Sequence, residues 1–73
     1  METKIDFEKL RKQLPFGAQT EIAKIANVHI SLVNRVLYGK SQNTKVLNAI
    51  ADFLTMYKEQ QQTALNKLAS FID

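Results

Sequence analysis

The side chains best suited to specific hydrogen bonding lie near the middle of the chain, at Asn34 and Arg35. The Arg35 guanidinium can donate two parallel hydrogen bonds to O6 and N7 of guanine, although a phosphate contact or a surface ion pair would use the same group. The Asn34 carboxamide can read adenine or bind a phosphate. Contact with nucleic acid is therefore the first chemistry to consider.

The remaining composition offers no set of catalytic groups. The chain has one histidine, no cysteine and two glycines, and its few carboxylates are scattered along the surfaces of the predicted helices. Nucleophilic catalysis, a glycine-rich phosphate loop or a metal centre would each need more than this. We therefore expect no enzyme activity, no metal site, no cofactor and no small-molecule substrate.

Length and charge fit one small basic domain. Of the 73 residues, 45% are hydrophobic, and the net charge is +3. The positive excess lies in residues 17–45, where four basic residues face only Glu21; a nucleic-acid-binding face needs such a segment, but many unrelated domains have one. No apolar run approaches the roughly 18 residues of a membrane span, and the first ten residues lack a signal-peptide core. We expect a cytoplasmic protein with no membrane partner.

Apolar residues spaced three and four apart predict helices throughout, so the predicted fold class is all-α. The first helix should run over 7–14, with Asp6 as its N-cap and Pro15 as its stop. The second should run over about 18–26, turn Ile22, Ile25 and Ala26 inward, and end at Asn27, because asparagine tolerates the left-handed conformation.

A third helix is predicted at Ser31–Tyr38, with Ser31 as its N-cap and Gly39 ending it. The lone His29 lies in the preceding turn, where it would either touch a phosphate or, as is more usual for a lone exposed histidine, have no special role. A fourth helix, capped by Asn43 or Thr44, should extend to Ile72. The predicted core comprises Phe7, Leu10, Leu14, Ile22, Ile25, Val33, Val36, Leu37, Val46, Leu47, Ile50 and Phe53.

The spacing from residue 19 to residue 38 suits two short helices that cross steeply. Small residues must lie where the helices approach, and an apolar residue must follow the turn. The chain supplies Ala23 and Ala26 for the approach and Val28 after the turn. Val33 and Val36 then point inward, so that the opposite face of the third helix is held rigidly toward solvent.

The segment QTEIAKIANVHISLVNRVLYGK resembles the helix-turn-helix of the lambda-repressor-like family, which includes phage repressors and Cro-type regulators. The resemblance covers about residues 4–57 and rests on Gln19, Ala23, Val28, the Val33/Val36 pair and the RVLYGK ending. Asn27 departs from the family's usual turn glycine, and residues beyond 57 match no family element. The resemblance implies a compact helix-turn-helix bundle of four to five helices within 1–57, followed by an extended C-terminal helix.

By this resemblance, the start and outer face of the third helix would read bases in the major groove of double-stranded DNA. Those base-reading residues are Ile30, Ser31, Leu32, Asn34, Arg35 and Tyr38. On the solvent face, Ile30 and Leu32 would contact thymine methyl groups or belong to a protein interface. Residues on either side would approach the DNA backbone or remain plain surface: Gln19, Lys40, Ser41, Asn43, Thr44 and Lys45.

The segment 58–73 is predicted to be a helical tail for oligomerisation. Apolar residues continue there at three-four spacing, which is typical of a helix that pairs with another helix. The candidates are Tyr57, Leu65, Leu68, Phe71 and Ile72, and we expect a homodimer or higher homo-oligomer. Alternatively, Thr63 caps a separate helix that folds back on its own domain.

The sequence therefore predicts a sequence-specific DNA-binding protein, a transcriptional repressor or regulator of phage or bacterial type. The alternative is a helical adaptor or antirepressor-like protein that uses Leu32 and the apolar tail to hold a protein partner.

Overall fold

The computed structural model describes residues 5–72, which form four α-helices and no strand. The helices are α1 (Phe7–Gln13), α2 (Ala18–Ala26), α3 (Ile30–Leu37) and α4 (Thr44–Ile72). Residues 1–4 and 73 lie outside the described residues, and with them the extreme ends of the predicted domain and tail. The prediction of an all-α fold is confirmed. Within the described range, no helix is both long and apolar enough to cross a bilayer.

The first helix begins and ends as the sequence predicts, apart from one residue. Asp6 caps α1, because its Oδ1 accepts a hydrogen bond from the Lys9 amide at 3.2 Å. Leu14 has already left the helical region, with φ −84° and ψ 131°, as a residue before proline is expected to do. The chain can then turn through Gly17, whose φ of +83° suits glycine, into α2.

Both helices of the central pair end in a left-handed residue. Asn27 has φ +56°, and the Val28 amide bonds back to the Ala23 carbonyl at 3.0 Å. Gly39 has φ +72°, and the Lys40 amide bonds back to the Arg35 carbonyl at 2.9 Å. Both sets of bonds satisfy helix carbonyls that would otherwise lack partners, so both predicted helix ends are confirmed.

The predicted start of the third helix was wrong. His29, not Ser31, is the N-cap of α3: its Nδ1 accepts a hydrogen bond from the Ser31 amide at 3.1 Å, and the Ser31 hydroxyl lies 2.9 Å from the same nitrogen. Ser31 therefore lies inside the first turn, and the helix begins at Ile30. An imidazole nitrogen can cap a helix as a serine hydroxyl does, and this role of His29 was missed.

The core lies where α2, α3 and the first turns of α4 meet. Four of its members are alanines, which let the helices approach closely, and the larger ones such as Val33 and Val36 are completely buried. The predicted wedge of Ile22, Ala26, Val33 and Val36 is thus inside, with Val28 packed against it. The buried residues are Ala18, Ile22, Ala23, Ala26, Val33, Val36, Leu37, Val46, Ala49 and Ile50.

Most other predicted core residues are half-buried at the edge of this cluster. Leu10, Leu14, Leu47 and Phe53 pack against it. Phe7 covers the turn after α3, where a Cβ atom on Gly39 would come within 3.4 Å of the Phe7 ring.

Ile25 contradicts the prediction, because 46% of its surface is exposed. The buried face of α2 extends from Ile22 toward Ala23 and Ala26, whereas Ile25 lies about 60° round the helix in the other direction. Ile25 instead borders a groove between α2 and α4.

Arg11, which is half-buried, joins α1 to the end of α3. Its Nη1 donates a hydrogen bond to the Leu37 carbonyl at 2.8 Å, and its guanidinium carbon lies 4.1 Å from the centroid of the Tyr38 ring. The guanidinium thereby satisfies a carbonyl in the last turn of α3 and stacks on an aromatic face.

The fourth helix is one continuous element of 29 residues, so the alternative in which residue 63 begins a folded-back helix is wrong. Its first half packs on the core, and every described residue from Lys58 onward is exposed. The radius of gyration is 14.5 Å, whereas a compact domain of this length would have about 11 Å. The compact bundle expected from the sequence is therefore not confirmed for the chain as a whole, because half of α4 projects beyond it.

Candidate nucleic-acid interface

The middle of the outer face of α3 carries two short polar side chains and one arginine. Val33 and Val36 are completely buried, while Ser31, Asn34 and Arg35 are exposed. This division follows from the 100° rotation per residue, which turns positions 33 and 36 inward together. The core therefore fixes the direction in which Asn34 and Arg35 point.

Arg35 projects from this face without a competing ionic partner. It forms no ion pair within residues 5–72; the two ion pairs found there, Lys12–Glu8 and Lys24–Glu21, lie on α1 and α2. None of its five N–H donors bonds to another described residue, and their planar arrangement suits an acceptor such as a guanine edge or a phosphate. Among the described residues, Arg35 therefore does not form the surface ion pair that was one of its predicted roles.

Gln19 and Asn34 meet, although they are predicted for different roles. Asn34 Nδ2 donates to Gln19 Oε1 at 3.5 Å, which links the first turn of α2 to the outer face of α3. A link between two amides leaves donors on Gln19 and an acceptor on Asn34 for an outside partner. The structure therefore brings the predicted backbone-contacting and base-reading residues onto one surface here.

Tyr38 lies at the other end of the same face and is 53% exposed. Arg11 covers one face of its ring, so the ring orientation is fixed from α1. Tyr38 and Gln19 both line a shallow cleft between α1 and the start of α2. About half of the surface of Tyr38 is therefore available to a partner, while Arg11 occupies one face of the ring.

Of the two apolar residues predicted on the solvent face, only one is there. Ile30 is 41% exposed, whereas Leu32 is half-buried and packs against the core. The premise that Leu32 stands on the solvent face is therefore wrong, because Leu32 lies only about 40° round α3 from the completely buried Val36. Part of Leu32 is still accessible.

The loop that follows α3 holds the remaining predicted backbone-contacting residues. Lys40, Thr44 and Lys45 are exposed, and Ser41 is half-buried. Asn43 caps α4, because its Oδ1 accepts a hydrogen bond from the Val46 amide at 3.1 Å. Only its N–H donors are left for a phosphate.

Further residues border this surface but were missed by sequence reasoning. Thr20 and Lys24 line a depression beside the α2–α3 turn, next to Ile30. Phe16, in the connection before α2, is fully exposed and lines the cleft that also holds Lys12. The helical period of α2 could have placed Lys24 one turn beyond Thr20 on the same side of the helix, but the exposure of Phe16 has no sequence signal.

The predicted oligomerisation residues do not share one environment. Leu65 and Leu68 are more than half exposed, and Phe71 and Ile72 are 87% and 83% exposed. Tyr57 differs, because it is half-buried and its ring stacks on Phe53 with centroids 6.1 Å apart. Thus Tyr57 belongs to the edge of the domain, whereas the other four lie along the projecting half of α4.

No protein-family model, characterised protein or solved structure matches this chain.

Proposed function

We propose that this chain binds double-stranded DNA in a sequence-specific manner and acts as a transcriptional repressor of phage or bacterial type. In this proposal α3 enters the major groove. Asn34 and Arg35 contact base edges or neighbouring phosphates, while Gln19 and the residues of the loop 40–45 contact the backbone. A DNA-binding regulator of this kind would act in the cytoplasm.

The observation that carries the proposal is the division of α3 into two faces. Two completely buried valines hold the helix, and Arg35, which has no ion pair within residues 5–72, stands on the opposite face beside the Asn34–Gln19 link. A helix that reads a groove must be fixed by its core while its polar side chains remain free. The positive excess of residues 17–45 and the resemblance of residues 19–40 to lambda-repressor-like regulators support the same proposal.

We also propose that the chain works as a homodimer through the projecting half of α4. Four large apolar side chains are exposed there, at Leu65, Leu68, Phe71 and Ile72. Two linked reading helices would recognise a pseudo-palindromic site and would bind more tightly than one.

Selection of bound sequences from a pool of random DNA duplexes tests the proposal. The expected result is enrichment of a short motif, repeated with inverted symmetry at a fixed spacing. A Lys58→Ala variant, which removes a charge from α4 and leaves α3 unchanged, should select the same motif. If no motif is enriched at moderate salt, sequence-specific binding is excluded.

The exposed apolar residues of α4 also favour a second candidate function, a helical adaptor or antirepressor-like protein that holds a protein partner. This candidate loses support from Leu32, which is half-buried. It predicts that the selection fails while the chain captures a defined protein through residues 65–72.

A further inference from the structure

Two apolar surfaces of the described chain have no partner. The first, the tail face, consists of Leu65, Leu68, Phe71 and Ile72 on α4. The second, the α2–α4 groove, is lined by Glu21, Ile25, Phe53, Met56, Tyr57 and Gln60. Within the groove, Ile25 and Met56 are 46% and 54% exposed. A single partner segment could cover the groove, and a single partner groove could cover the tail face.

The tail of a chain cannot fill its own groove. Phe53, Tyr57 and the tail face lie along the same continuous helix, α4, so they are held apart by the rise of about 1.5 Å per residue. The tail face also has the same rotational position on α4 as Ile50 and Tyr57, because the three-four spacing is unbroken from residue 50 to residue 72. The tail face therefore lies on the same side of α4 as Ile50, which the domain buries, but it lies beyond the end of the domain.

We propose that a second copy of this chain fills the groove, with the two α4 helices antiparallel and crossing near residues 62–63. Each tail face then lies in the α2–α4 groove of the other copy. This arrangement rests on the proposed self-association and does not depend on DNA binding.

The spacing of the apolar residues sets the register. When Gln61 lies level with Ala64 of the second copy, Leu68 lies level with Tyr57 and Phe71 with Leu54, each pair occurring twice by symmetry. The small side chain of Ala64 is at the crossing, where the helices approach most closely. A parallel pair would align each tail with the other tail and leave both grooves empty.

The surface area that a stable dimer must bury also favours packing of each tail face in the groove of the other copy. A stable interface buries about 800 Å² per partner, so the four tail side chains alone would each have to bury about 200 Å², although two of them are only 56% and 58% exposed. Adding the exposed parts of Ile25 and Met56 enlarges the contact and makes it self-complementary, as two-fold symmetry requires.

Charge complementarity links the tail to the groove. In the antiparallel register Lys67 lies near Gln60 of the second copy, which borders Glu21 in the groove. Glu21 is exposed and its only ion pair within residues 5–72 is with Lys24, at 3.7 Å on the surface. Lys67 can therefore approach the solvent-exposed carboxylate of Glu21 in the second copy.

Sedimentation of the full chain without DNA, over a range of concentrations, measures the strength of association. Phe71→Asp should raise the dissociation constant at least 100-fold, and Met56→Asp in the groove should do the same. Ser70→Asp is the matched control: it adds the same charge next to Phe71 but on the opposite face of α4, and it should have no effect. Lys67→Glu and Glu21→Lys should each weaken the dimer about threefold, and the double variant should recover.

The direction of pairing is measured with one spin label. The chain has no cysteine, so Asn48→Cys provides a single site on the exposed face of α4. The antiparallel dimer predicts a distance between labels of about 43 Å or more, whereas a parallel dimer predicts roughly 10–25 Å from the interhelical spacing and the label lengths. A dimer with the short distance overturns this inference and leaves the proposed homodimer intact. A chain that stays monomeric at high concentration overturns both, and either result leaves DNA binding to its own test.

Discussion

Replacing Ile22 with alanine is expected to lower the free energy of unfolding by about 3 kcal/mol. Ile22 is completely buried between α2, α3 and α4, and the alanines around it cannot expand into the space that the lost atoms leave. For a domain of this size, such a loss corresponds to a drop in melting temperature of roughly 15 °C. Thermal and chemical unfolding followed by circular dichroism measure it.

Ile25→Ala is the matched control for that change. It removes the same atoms from the same helix, but at a position that is 46% exposed, and we expect a loss below about 1 kcal/mol. Both variants should be compared in a Phe71→Asp background, so that self-association does not add to the stability of either. Equal losses for the two variants would contradict the core described here.

The second large effect is expected on DNA binding. Under the proposed function, Arg35→Ala should weaken binding to the selected motif by about 1–3 kcal/mol, which is roughly 5- to 150-fold. The variant should unfold at the same temperature as the parent, because Arg35 is exposed and contributes only its carbonyl to the turn after α3. Fluorescence anisotropy with labelled duplexes at several salt concentrations measures the change.

The salt dependence separates the two contacts open to Arg35. A base contact predicts a large loss on the selected motif, a small loss on unrelated duplex and relaxed specificity at one position. A phosphate contact predicts equal losses on both duplexes and a salt slope that falls by about one. Lys58→Ala, which removes one positive charge from α4 away from α3, should change neither. If Arg35→Ala binds like the parent on both duplexes, the proposed role of α3 is wrong.

The ends of the helices could largely be predicted, because they depend on local chemistry. Asp6, Asn27 and Gly39 act within a few residues of themselves, and their side chains or permitted φ values determine where a helix starts or stops. The start of α3 could not be predicted in the same way. Histidine is an uncommon cap, and the serine two residues later is a stronger local signal, so the pattern favoured Ser31 over His29.

The positions that were predicted wrongly depend on how helices pack against one another. Ile25 and Leu32 each lie at an edge of the buried face of their helix, and the neighbouring helix decides which edge is covered. Two hydrogen bonds join different helices: Arg11 to Leu37, which are 26 positions apart, and Asn34 to Gln19, which are 15 positions apart. No local sequence pattern predicts such bonds. The apolar stripe of α4 was visible in the sequence, whereas the groove beside it was not, because Ile25 and Met56 lie on different helices.

The most direct test of the central claim maps where duplex DNA touches the protein. Titration of the selected duplex into isotope-labelled protein, followed by amide and side-chain NMR signals, should shift the resonances of Ser31, Asn34 and Arg35 most strongly, together with those of Gln19 and the loop after Gly39. Signals of residues 58–64 on the projecting half of α4 should move little. Saturable binding with the α3 resonances unchanged would contradict the account.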